Sequence, residues 1–295
     1  MDGNLDMKDF NGCKIGIYEK VLPGSLSFLD RLLIVMDAGY DFLEIGIDET
    51  EGRMSRLDWT RDKKLELVKA VHYSGIPILT MNLSALRRYP VGSQNTEIRE
   101  KGISLVLKAI DFAADTGIRI IQVAACDEYY NRSNKITRQL FFESLQRTVS
   151  YAARNGVMLA LKNMEAPFLD SIEKMSQCAG SIDSPYLQLY PDIGNLAAAG
   201  HSVFNQRAMF HRNIVGFHLK DACPGNIREV PFGQGTVDFR GFFKEMRYLD
   251  FCGFYTVGIP PSGELAPSTY IAAAREFLCL HCGGDVERYE KVCFS

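Results

Sequence analysis

The 295-residue chain contains one tryptophan and five histidines, and its formal net charge is only −3. A charge so close to zero gives no electrostatic reason for binding nucleic acid or a membrane surface. No apolar run approaches the ~18 residues that a membrane span needs. The opening residues, Met1-Asp-Gly-Asn-Leu-Asp6, are polar and acidic and have no apolar core of a secretory signal. The expectation is therefore a cytoplasmic protein whose eight cysteines stay reduced. Only Cys279-Leu-His-Cys282 has tight metal-like spacing, and no second pair exists to complete a structural zinc site. A glycine-rich phosphate turn is missing too. The loop after the first apolar run, Tyr18-Glu-Lys-Val-Leu-Pro-Gly24, is not G-x-G-x-x-G, which argues against an open dinucleotide-binding sheet.

What the chain does have is a repeated alternation. Short apolar runs suit strands buried on both faces. They fall at 14–18, 42–47, 77–83, 118–123, 157–161, 187–190, 214–218 and 254–257. Helical spacing follows each one: 27–38, from a cap at Asp58 to 74, 96–116, 135–155, a short helix from Ser171, 203–212, 239–249 and 267–281. Gly39, Gly75, Gly117 and Gly156 stand where helices should stop. Eight strand-then-helix units with right-handed crossovers close into a (β/α)₈ TIM barrel. The expected layout is a flexible tail over 1–11, one barrel over 12–282 and a second tail over 283–295.

In such a barrel the chemistry lies at the carboxyl ends of the strands. After strands one to four these positions bring Glu19 with Tyr18 and Lys20, then Asp48 and Glu49, then Ser84, Arg87 and Arg88, then Gln122, Asp127 and Tyr129. After strands five to eight they bring Lys162, Asn163 and Glu165, then Asp192 and Asn195, then His218, Lys220 and Asp221, then Gly258. The set is polar, whereas the strand bodies are apolar. Arg87, Arg88 and Lys220 are cations suited to a phosphate, and the same residues would also suit a solvated rim.

Several segments resemble, in order, the L-xylulose-5-phosphate (L-ribulose-5-phosphate) 3-epimerase family. They are Tyr18-Glu-Lys-Val-Leu-Pro23, Ile47-Asp-Glu-Thr50, Arg56-Leu-Asp-Trp59 and Leu83-Ser-Ala-Leu-Arg-Arg88. Further on come Leu189-Tyr-Pro-Asp-Ile-Gly-Asn195, His218-Leu-Lys-Asp221, Val230-Pro-Phe-Gly-Gln-Gly235 and Val237-Asp-Phe239. The resemblance covers roughly residues 12 to 280. It implies a xylose-isomerase-like barrel, a sugar-phosphate substrate, a divalent metal (Mn or Zn) and a homodimer. In that family the metal polarises the ketose carbonyl. Two glutamates on opposite faces of the sugar exchange the C3 proton, and with an Asp and a His they also hold the metal.

By this resemblance Asp192 and His218 are the metal ligands. Glu19, Ser84, Arg87, Arg88, Gln122 and Lys220 are the expected substrate contacts. The two glutamates do not match: Lys162 stands at the first position and Gly258 at the second, and a histidine of the third-strand loop is Leu86. An ammonium repels a cation, and glycine carries no proton. The metal is accordingly expected to be absent or weakly held. Three outcomes follow. Glu165 or Glu264 could restore an epimerase, the barrel could be a sugar-phosphate-binding pseudoenzyme, or Lys162 could act as the nucleophile of a metal-free lyase.

Overall fold

The computed structural model describes residue 10 and residues 12–201, 213–227, 230–261, 263 and 265–283. Its eight strands are β1 (Lys14–Tyr18), β2 (Phe42–Gly46), β3 (Ile78–Leu83), β4 (Ile120–Ala125), β5 (Met158–Asn163), β6 (Leu187–Leu189), β7 (Gly216–Leu219) and β8 (Phe254–Val257). All pair in parallel, in the order β6-β5-β4-β3-β2-β1-β8-β7. The barrel closes between β6 and β7 through single bridges, Leu189 to Ile214 and Asp192 to His218. Across this seam the His218 N–H donates to the Pro191 carbonyl at 2.8 Å. Closure removes the exposed sheet edges, and it sets Asp192 directly beside His218.

The helices are α1 (Phe28–Asp37), α2 (Glu51–Met54), α3 (Arg61–Ser74), α4 (Thr96–Thr116), α5 (Lys135–Arg154), α6 (Ile172–Ile182), α7 (Ile193–Ala198), α8 (Phe239–Tyr248) and α9 (Pro267–Cys282). Their starts follow from short polar caps that take up otherwise unpaired backbone N–H groups. Ser27 accepts from the Asp30 N–H, and Asn134 forms a capping box with Thr137. Asp58, the expected cap of α3, does not start it. It ends a 3₁₀ turn (Ser55–Asp58), and the Thr60 hydroxyl caps the helix instead. Gly75 and Gly117 end α3 and α4 with φ of 71° and 85°. Strand β4 is displaced along the chain from its expected span and runs on to Ala125. Phe10, expected in a loose tail, is buried against Phe243 and Tyr255. The helix expected over 203–212 lies outside the described residues. No helix among the described residues is long and apolar enough to cross a membrane.

The pleat sends alternate strand residues inward. Outward-facing Ile15, Ile17, Leu43, Ile45, Leu159 and Leu161 join the helices in the main core. At the bottom of the barrel Ile120, Ala160 and Tyr190 form a separate apolar plug with Met158, Val215 and Phe254. Tyr190 fits there because β7 offers Gly216: a Cβ at that position would lie 2.4 Å from the Tyr190 ring. The Tyr190 hydroxyl is tied to the Thr256 hydroxyl at 2.7 Å. Above this floor the inward residues turn polar.

Candidate functional site

At the carboxyl end of the barrel lies a cleft of about 220 Å³. Its base is built by β4, β5 and the start of α7, which contribute Gln122, Lys162, Asp192 and Asn195. Asp192 is the N-cap of α7: one carboxylate oxygen accepts the Asn195 N–H at 2.9 Å. Asn163 clamps the same residue, accepting the Asp192 N–H at 2.7 Å and donating to its carbonyl at 3.2 Å. The carboxylate is thus fixed by backbone and leaves Oδ2 for side chains. Three nitrogens approach that oxygen: Lys162 Nζ at 3.4 Å, His218 Nδ1 at 3.6 Å and Lys220 Nζ at 3.7 Å.

Below them sits Glu44, a carboxylate that sequence reasoning missed. It is fully buried. It accepts from the Thr80 hydroxyl at 2.7 Å and from the Gln122 amide, and it lies 3.2 Å from His218 Nε2. Glu44 is in mid-strand, two residues before Gly46, and not at a strand end where a barrel site is expected. The available signal was its parity with Phe42 and Gly46 in a strand otherwise apolar.

These charges hold one another. Burial would raise the carboxyl groups of Asp192 and Glu44, but neighbouring hydrogen-bond donors and positive charges win. Lys220, Lys162 and His218 hold Asp192 below its ordinary range, and His218, Lys162 and the Thr80 hydroxyl do so for Glu44. Burial pushes Lys162 down, against the pull of Asp192 and Glu44. His218 is lowered by burial and by Lys162.

Gly258 is occupied space. A Cβ there would stand 2.3 Å from His218 Cε1 and 2.9 Å from Nδ1. The imidazole lies over the glycine, stacked edge-on against Tyr18 with centroids 5.9 Å apart. A carboxylate-bearing residue at 258 and the present histidine position are mutually exclusive.

The expected substrate contacts separate into two groups. Ser84, Arg87, Gln122 and Lys220 line the cleft, joined by Lys20 and Glu165. Ser84 Oγ, Gln122 Oε1 and His218 Nδ1 are buried without a hydrogen-bond partner among the described residues. Glu19 and Arg88 do not line it. Glu19 is completely buried and takes Arg31, Arg53, Arg56 and the Gly46 N–H (2.6 Å) on its two oxygens. With its lone pairs so engaged it is a structural anchor and not a ligand contact. Arg88 points out over the rim to Glu51 at 3.2 Å. Glu165 is at the rim with the Tyr129 hydroxyl, 3.1 Å away. Leu86 is buried in the core. Glu264 lies outside the described residues.

The donors present do not suit the divalent metal that the resemblance implies. A hard cation needs several oxygen ligands to offset its charge. Among the described residues no group of three or more His, Cys, Asp or Glu side chains is arranged to hold one. The Lys162 ammonium already stands against the one carboxylate such an ion would need.

The match to known proteins spans most of the chain. The model of the xylose isomerase-like TIM barrel matches residues 32–280. The L-ribulose-5-phosphate 3-epimerase UlaE of Escherichia coli is 40% identical over 264 residues, which are 90% of this chain and 93% of that protein. The chain belongs to this epimerase family. The UlaE of Escherichia fergusonii matches to the same extent. Among solved structures, D-psicose 3-epimerase in the presence of D-fructose superposes with a TM-score of 0.75 at 17% identity, over 92% of this chain and 100% of that one. L-ribulose 3-epimerase gives 0.74 at 16%, over 92% and 94%. Likenesses at that identity concern the fold alone. This epimerase-family chain thus has the barrel, and its cleft carries Lys162 beside Asp192 and the bare Gly258 under His218.

Proposed function

We propose that the cleft binds a pentulose 5-phosphate and that the metal-assisted, two-glutamate exchange of the C3 proton has been lost. The substrate class follows from the names of the 40%-identical relatives. The cleft supplies cations for a phosphate in Lys20, Arg87 and Lys220. Ser84 and Gln122 line the cleft, and their Oγ and Oε1 have no hydrogen-bond partner among the described residues, which suits them to sugar hydroxyls. The observation that carries the reading is the placement of Lys162 Nζ 3.4 Å from Asp192 Oδ2. An ammonium there supplies the positive charge that a metal would bring. The space over Gly258, where a second proton-carrying acid would stand, is filled by His218.

The test is L-ribulose 5-phosphate in deuterated buffer with purified protein and added Mn²⁺. The sugar phosphate should raise the melting temperature, C3 should take up no deuterium, and the protein should hold no stoichiometric metal. Rapid epimerisation with one bound metal per chain would overturn the proposal.

A further inference from the structure

Two ammonium groups share one carboxylate oxygen at the mouth of the barrel, but they are held very differently. Lys220 Nζ donates to Asn195 Oδ1 at 2.5 Å and to the Ile227 carbonyl at 3.1 Å, with Asp192 Oδ2 farther off at 3.7 Å. Its stem is packed so closely on α7 that a Cβ at Gly194 would lie 2.6 Å from its Cγ. Lys162 Nζ has a single ion-pair partner among the described residues, the same Asp192 oxygen at 3.4 Å. A charge-assisted bond ordinarily spans ~2.7–2.9 Å, so this contact is loose. Lys162 projects inward from β5, a rigid strand of the barrel, and lines the cleft. Lys220 is the fixed cation, and Lys162 is the amine with room to react.

We propose that Lys162 is a nucleophile that forms an iminium with the carbonyl of a 2-ketose phosphate. The proposal rests on the sugar-phosphate reading above and adds a covalent step. The Lys162 ammonium first gives one proton to Asp192, 3.4 Å away, and the freed Nζ electron pair adds to C2 as the carbonyl π pair moves onto oxygen. Nitrogen loses a proton and oxygen gains one, which gives a carbinolamine. The hydroxyl takes a further proton and leaves as water while nitrogen donates its pair to form C=N. Ammonium plus ketone becomes iminium plus water, with no oxidant or reductant. Asp192, the carboxylate closest to Nζ, is placed to take the proton and return it. The iminium keeps a positive charge at the end of β5 and ties the sugar to the chain at C2.

The experiment incubates the full chain with L-ribulose 5-phosphate and sodium borohydride. Intact mass and peptide mapping follow, in parallel with thermal shift without borohydride. The expected result is a mass gain of one ligand less one oxygen on the peptide carrying Lys162, lost in K162R. Mapping the parent protein keeps the test valid should K162R fail to fold. Stabilisation by the sugar phosphate without an adduct at Lys162 overturns the imine and leaves the binding reading standing. Adducts spread over exposed lysines and undiminished in a folded K162R also overturn it. Neither stabilisation nor adduct overturns both.

Discussion

On the β1–β2 side of the barrel Glu19 gathers Arg31, Arg53, Arg56 and a backbone N–H on one buried carboxylate. On the β5–β7 side Asp192 faces Lys162, Lys220 and His218 at 3.4–3.7 Å, around an open cleft. Both clusters put several cations on one acid, yet they are built differently. The Glu19 contacts are short, and the Arg31 and Arg56 guanidiniums also lie over the Phe28 ring, 5.2 and 5.3 Å from its centroid. Every acceptor there is used. Around Asp192 the contacts are long, and Ser84 Oγ, Gln122 Oε1 and His218 Nδ1 have no hydrogen-bond partner among the described residues. Saturated charge networks hold a fold together, whereas unsaturated ones leave groups for a ligand.

The most severe way to break this contrast is Glu19→Ala. It leaves three guanidiniums without their carboxylate and should cost about 3–5 kcal/mol in urea unfolding. A loss near that of an exposed pair would make the cluster no more structural than the cleft. Lys162→Glu sharpens the other half. With a carboxylate beside Asp192 and His218, added Mn²⁺ should stabilise the variant by about 2.7 kcal/mol at a hundredfold excess over Kd, and the parent not at all. A parent melting temperature that climbs equally would place a metal beside Lys162.

Gly258→Ala comes next. Its Cβ meets the His218 ring at 2.3 Å, so the imidazole must shift, at about 1–3 kcal/mol. Displaced ring resonances in histidine NMR would register the move, and an unmoved spectrum would contradict the packing described. A smaller effect is set by acid. Asp48 is held down to about 2, because hydrogen bonds from Thr50 and Lys20 outweigh its burial. The unfolded chain takes up that proton near 3.8, before the folded one does. Asp48 therefore stabilises above that value, and the contribution is lost as pH falls through about 2. Removing the Lys20 charge should shrink the acid-dependent loss in a pH-resolved denaturation series. Arg88→Ala should be nearly silent, within about 1 kcal/mol, since its Glu51 partner is exposed.

Much of the architecture was readable from spacing. Strand parity and helix stops at Gly75 and Gly117 are local features, governed by neighbours in sequence. Lys162, Asp192, Asn195 and Lys220 were likewise placed on the cleft by lying at strand ends. Glu44 was not legible, because a mid-strand acid looks like an error until eight strands enclose a polar interior. Glu19 was misread for the opposite reason: it sits at a strand end, but arginines from α1, α2 and the following 3₁₀ turn converge on it from above. The cap of α3 turned on whether Asp58 or Thr60 has an extended backbone, which depends on the 3₁₀ turn before it.

The order of residues alone determined the alternation of strand and helix, the barrel that such an alternation closes into, and the amine of Lys162 and the bare Gly258 at strand ends. Those are matters of local pattern and of residue identity. Only the closed barrel decided which charges meet, because the β6–β7 seam brings together Asp192 and His218 from distant stretches of chain. It also laid the imidazole over Gly258 and set Glu44 beneath it, since distances across a barrel depend on all eight strands at once.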